Sequence, residues 1–118
     1  MTKHAFDLEQ RSTEFAKRVV RLCKRLPRSP INDRLTGQLV GSAGSVGANY
    51  REANDSLGKK DFVHRLKISR KESKESIHWL ELLNEANTDF GMEVDDLVRE
   101  AIELRNILSS IISKFERN

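Results

Sequence analysis

The amino-acid sequence predicts an all-α protein, an antiparallel up-down-up-down four-helix bundle, on three observations. Apolar residues recur at steps of three and four in four separate stretches, the spacing that lines one face of a helix. The stretches are joined by short segments rich in proline, glycine, asparagine, aspartate and serine, and short joints turn consecutive helices back on one another. No stretch alternates apolar and polar residues with period two. Only 6% of the residues are aromatic against 33% charged, a balance that favours helices. With 118 residues the chain is long enough for one hydrophobic core, so a single domain over 1–118 is expected.

The first helix is expected over about 7–26. Asp7 stands as its N-cap with Gln10 three residues on, the pattern of a capping box. Leu8, Phe15, Val19, Leu22 and Leu26 share one face, and Pro27 ends the run. The second, over 30–53, opens with Ser29 as cap and Pro30 at the first helical position. Leu35, Leu39, Val46, Tyr50 and Ala53 form its apolar face. On roughly the opposite side lie Gly37, Gly41, Gly44 and Ala48, at steps of four, three and four. Each helical glycine costs about 1 kcal/mol relative to alanine. The stripe is therefore expected to serve a tight helix–helix contact or a contact between subunits.

The segment 54–58 has turn chemistry, and the third helix follows over 59–86. Phe62, Leu66, Ser69, Ser73, Leu80 and Leu83 mark its inner face. Ile68, Trp79, Leu82 and Ala86 mark a second apolar face, more than one core requires, which points to oligomerisation. The fourth helix, over 93–115, carries Asp95 and Asp96 in its first turns, where carboxylates suit the helix dipole. Val94, Leu97, Ala101, Leu104, Leu108, Ile111 and Phe115 give it a regular apolar stripe.

Cys23 is the single cysteine, so an internal disulfide is excluded and a reduced, cytoplasmic setting is expected. No apolar run is long enough to span a bilayer, and the opening residues lack the apolar centre of a signal peptide. The net charge of +3 is unevenly spread. Residues 1–36 hold nine Lys/Arg against four Asp/Glu, giving +5, while residues 61–118 hold nine against twelve, giving −3. Concentrated basic charge on a nearly balanced chain suits a local anion-binding surface.

Two helix faces carry that charge. Lys17, Arg21, Lys24 and Arg28 form a stripe on the first helix, flanked by Arg18 and Arg25, and these six are expected to neutralise nucleic-acid phosphates. No aromatic residue is interleaved with them, so stacking on bases is not expected there. The third helix presents Lys60, His64, Lys67, Lys71, Lys74 and His78, of which Lys67, Lys71 and Lys74 are the second choice for phosphate binding. Glu75-x-x-His78 is similar to half of a di-iron carboxylate site, but that site needs a second such element and two further carboxylates, so no metal and no cofactor are expected. Ser45, Asn49, Glu52, Glu72 and Glu75 lie beside the apolar faces and are expected to form a polar network rather than a catalytic site, since no nucleophile–base–oxyanion set accompanies them.

Residues 38–53 (QLVGSAGSVGANYREA), 59–66 (KKDFVHRL), 71–76 (KESKES) with Trp79-Leu80, and the closing Glu103-Leu104 and 107–112 (ILSSII) resemble the signatures of the bacterial four-helix-bundle proteins known as 23S ribosomal RNA intervening-sequence proteins. The resemblance spans nearly the whole chain. It implies an antiparallel bundle that assembles into a pentameric ring and has no established enzymatic activity. A related accessory protein of diversity-generating retroelements is such a pentamer and binds nucleic acid and a reverse transcriptase. The resemblance also implies packing and assembly roles for Ser45, Asn49, Glu52, Asp61, Phe62 and Glu75. The expected protein is thus a homo-oligomer that binds RNA or DNA, the alternative being a ring that docks a partner polypeptide. No membrane association is expected.

Overall fold

A computed structural model describes residues 3–117 as four α-helices, α1 (Lys3–Arg25), α2 (Pro30–Asn54), α3 (Lys59–Ala86) and α4 (Gly91–Glu116). A single 3-10 turn, Thr88–Phe90, leads into α4. No strand occurs among the described residues. α1 packs on α2 and α4, and α3 packs on the same two helices, so α1 and α3 stand on the diagonal of the bundle.

The helix ends follow local chemistry, with one correction. α1 is already helical at Lys3, so Asp7 lies a turn inside the helix and is not its cap. At α2 the Ser29 side chain accepts a hydrogen bond from the Asn32 backbone N–H at 3.0 Å, and Pro30 occupies the first turn, where its missing N–H costs nothing. α3 starts after Gly58, whose extended backbone offers no capping side chain.

The core is a continuous column of leucine, valine and isoleucine with Phe15 and Tyr50. Phe15, Leu22, Leu39, Leu66, Leu80, Leu97 and Leu104 are fully buried. Truncating any of these leucines to alanine costs about 2–5 kcal/mol, from lost transfer energy and the cavity left behind. The stripe on α4 departs from expectation at its end. Ile112 is buried in place of Ile111, which is only partly covered, and Phe115 remains 36% exposed. Phe115 reaches the open end of the bundle, where it meets Phe62 edge-on with ring centroids 4.9 Å apart.

Serines on the inner face of α3 tie it to both neighbours. The Ser69 hydroxyl donates to the Val46 carbonyl of α2 at 2.7 Å, and the Ser73 hydroxyl donates to the Ala101 carbonyl of α4 at 2.7 Å. Ser76 and Ser42 share a hydroxyl–hydroxyl bond of 3.0 Å across the α2–α3 seam. Small side chains let the helix axes approach, and each hydroxyl finds an acceptor that an apolar core would deny it. At one end of the bundle, Asn32 and Asn87 exchange amide hydrogen bonds of 2.8 and 2.9 Å. Asn32 also donates to the Pro27 carbonyl and Asn87 to the Leu83 carbonyl. No buried side-chain nitrogen or oxygen among the described residues lacks a hydrogen-bond partner.

Candidate nucleic-acid interface

The outer face of α1 holds Lys17, Arg21, Lys24 and Arg25 in solvent, with Arg18 half-buried, while Arg28, expected on the same helical stripe, lies exposed in the joint beyond the helix end at Arg25. Carboxylates from elsewhere in the chain answer half of these six cations. Arg21 pairs with Glu14, Arg25 with Glu93 of α4, and Arg28 makes a two-pronged contact with Asp33 at 2.7 and 3.1 Å. The Arg28 guanidinium holds the Asp33 carboxyl below its ordinary range. Lys17, Arg18 and Lys24 carry no ion pair among the described residues. Glu93 lies far from the stripe in sequence, and only the packing of α4 on α1 brings it there.

The outer face of α3 is arranged differently. Lys67, Arg70, Lys71, Lys74, His78 and Trp79 line a shallow depression of about 510 Å³, together with Glu75. A second, of about 540 Å³, is lined by Lys59, Lys60, Val63, His64, Lys67 and Phe115, together with Glu116. Lys67 belongs to both, so the two form one basic strip along the helix. From Lys59 to Trp79 the strip runs roughly 30 Å at 1.5 Å per residue. Two of its cations are paired: Lys67 with Glu116 at 2.6 Å, and Lys71 with Glu75 at a loose 3.8 Å. Lys67 lowers the pKa of Glu116. Lys59, Lys60, Arg70 and Lys74 carry no ion pair among the described residues, although Arg70 donates to the Ser109 hydroxyl at 3.4 Å. The sequence reading missed Lys59, Arg70 and Phe115 as members of this strip. The Lys59-Lys60 doublet was legible, whereas nothing in the spacing of α4 announced that Phe115 reaches α3.

The small-residue stripe requires a correction. Gly37, Gly41, Gly44 and Ala48 are all exposed, and a Cβ built on Gly37, Gly41 or Gly44 would meet nothing within 4 Å. A tight contact inside the bundle is therefore not their role. The close approach falls on Gly47, where an added Cβ would lie 3.0 Å from the Ser12 hydroxyl of α1.

The polar set beside the stripe is only partly joined. The Asn49 amide donates to the Ser45 carbonyl and hydroxyl, both at 2.9 Å, while Arg65 of α3 donates to the Asn49 carbonyl oxygen at 3.4 Å. Glu52 and Asp61 face solvent, and Phe62 packs at the rim of the core. Glu72 is half-buried. Burial first, and then the charge of Glu75, raise its carboxyl above the ordinary range. Glu75 turns to Lys71, and His78 lies edge-on to Trp79 at 4.8 Å. No group of three His, Cys, Asp or Glu able to hold a metal ion forms among the described residues. Burial raises the Cys23 thiol to about 11, so it is a poor nucleophile at neutral pH. No helix among the described residues is long and apolar enough to cross a membrane.

Comparison with known proteins gives these faces a context. The family model described as 23S rRNA-intervening sequence protein matches residues 5–110. The chain is similar to a crystal structure of a protein of unknown function from the S23 ribosomal protein family of Bacteroides thetaiotaomicron VPI-5482. The two are 32% identical, with a TM-score of 0.81, over 92% of this chain and 97% of that one. No protein with a curated description matches.

Proposed function

Because the chain belongs to the 23S rRNA-intervening sequence protein family, we propose that it is a non-enzymatic, cytoplasmic homo-oligomer of antiparallel up-down-up-down bundles that binds RNA or DNA through its basic helix faces. The observation that carries this reading is the continuous strip on α3, where Lys67, Lys71 and Lys74 stand beside further cations in open depressions. Lys17, Arg18, Arg21, Lys24, Arg25 and Arg28 of α1 add a second phosphate-facing surface. Binding of this kind is driven by counterion release, so it weakens steeply with salt and reads little sequence.

The antiparallel arrangement is supported by the order of the contacts. Arg11 reaches Glu100 while Arg25 reaches Glu93, and Ser42 meets Ser76 while Asn49 meets Arg65. Assembly, which the family resemblance implies to be a pentameric ring, is supported by the uncovered Gly37, Gly41, Gly44 and Ala48 and by Val40 and Leu82, about 40% exposed at 40% and 39%. A ring would present the basic strips in several copies and raise avidity without new contacts.

The test is a titration with a structured RNA at low and moderate salt. Tight binding at low salt that fades as salt rises is expected. Absent or salt-indifferent binding overturns the nucleic-acid reading and leaves a ring that docks a partner polypeptide. Assembly is read separately by light scattering. Gly41→Leu is expected to break the oligomer while leaving the helicity of the protomer intact, because a Cβ at this exposed position meets nothing within 4 Å.

A further inference from the structure

The strip on α3 differs from the face of α1 in having aromatic rings among its cations. At its upper end Phe115 is 36% exposed, near the close of a helix whose Leu97, Leu104, Leu108 and Ile112 turn inward. Its ring is held by the edge-on contact with Phe62, which is itself anchored against the core. Around it stand Lys59, Lys60, His64 and Lys67, with Val63 as floor. The one carboxylate in this depression, Glu116, is engaged by Lys67.

A phosphodiester backbone alone has no use for an apolar ring, and a duplex keeps its base faces stacked on one another. A single strand offers both partners at once: phosphates for the lysines and an unsatisfied π-face for the phenylalanine. Base–aromatic stacking is tolerant of sequence and is found where a cationic groove tracks the backbone. We infer that Phe115 is a stacking platform for an unpaired base of single-stranded RNA or DNA, whose flanking phosphates lie on Lys59, Lys60 and Lys67. The inference rests on the proposed phosphate binding by α3 and narrows its ligand from nucleic acid in general to unpaired strands.

The experiment compares three labelled probes by fluorescence anisotropy at low and moderate salt: an oligothymidylate, an abasic phosphodiester of equal length, and a duplex of equal length. The oligothymidylate is expected to bind the full protein about tenfold more tightly than the abasic strand, the margin one stacked base supplies. Phe115→Ala and Phe115→Leu should both erase that margin and leave abasic binding unchanged, whereas Phe115→Tyr should keep it. Far-ultraviolet circular dichroism of each variant checks that the bundle is intact, and the leucine variant preserves apolar volume without a π-face. Equal binding of oligothymidylate and abasic strand, a margin that survives Phe115→Leu, or tighter binding of the duplex each overturn the stacking inference while leaving phosphate binding standing. Failure of all probes to bind at low salt overturns the phosphate reading itself, and the inference with it.

Discussion

The outer face of α1, counted with Arg28 just beyond its end, and the outer face of α3 each carry six Lys and Arg residues, yet they do not present the same surface. On α1, Arg21, Arg25 and Arg28 are answered by Glu14, Glu93 and Asp33, the last in a two-pronged contact. On α3 the pairs are fewer: Lys67 is held at 2.6 Å, and Lys71 sits 3.8 Å from its carboxylate. Exposed pairs are individually weak, and a phosphate competes with them. What separates the faces is that the depressions on α3 gather several cations with the rings of Trp79 and Phe115, whereas those beside α1 hold one or two cations each. A run of basic residues measures formal charge, whereas binding depends on which carboxylates the fold brings beside it.

The largest expected effect tests that ranking. Glutamate at Lys67, Lys71 and Lys74 should weaken RNA binding by on the order of a hundredfold at low salt, since charge reversal forfeits several phosphate contacts at once. The same change at Arg21, Lys24 and Arg28 should cost about tenfold, because Arg21 and Arg28 are both held closely by Glu14 and Asp33, whereas the Lys71–Glu75 pair on α3 is loose. Equal losses in an anisotropy titration would erase the distinction between the faces. A smaller gain is expected from Glu116→Gln, which frees Lys67 and should tighten binding about twofold to threefold, with the salt dependence growing steeper.

The smallest effect concerns stability at the flank of the strip. Burial and the neighbouring Glu75 raise the Glu72 carboxyl, so between its ordinary and its raised value the folded chain holds more of this proton than the unfolded chain does. Stability from this group is full below the ordinary carboxyl value of 4.5 and declines as pH rises through the raised one. Glu72→Gln should therefore raise the melting temperature slightly at neutral pH and leave it unchanged in acid. A variant that melts lower at neutral pH would show that the charge is compensated, and would remove Glu72 as a cost of this flank.

Much of the bundle was legible because its signals are local. Ser29-Pro30 reads as a helix start, and Phe62, Leu66, Ser69, Ser73, Leu80 and Leu83 fall on one face whatever their partners are. The same spacing could not say that Ser69 reaches the Val46 carbonyl or that Ser73 reaches Ala101, since those acceptors lie on other helices. Glycines posed the same problem. Gly47 and Gly44 are three residues apart in one helix, but only Gly47 sits where α1 closes in. Helical phase tells which residues share a side, and leaves open which side has a neighbour. The basic strip of α3 was half-visible for this reason: its lysines follow one another along the helix, while Phe115 arrives from the far end of the chain.

The reciprocal amides of Asn32 and Asn87 have a consequence for how the helices are aligned. They join the first turn of α2 to the joint after α3, and both are nearly closed to water at 6% and 8% exposure. Sliding one hairpin along the other by a single turn, about 5.4 Å, would leave leucine facing leucine and change the apolar packing little. It would, however, break both amide–amide bonds and leave each side-chain carbonyl oxygen without its donor, at about 1–3 kcal/mol for each buried group, while the contacts to the Pro27 and Leu83 carbonyls remained. The pair thus acts as a dowel, rejecting slipped alignments that greasy contacts alone would tolerate.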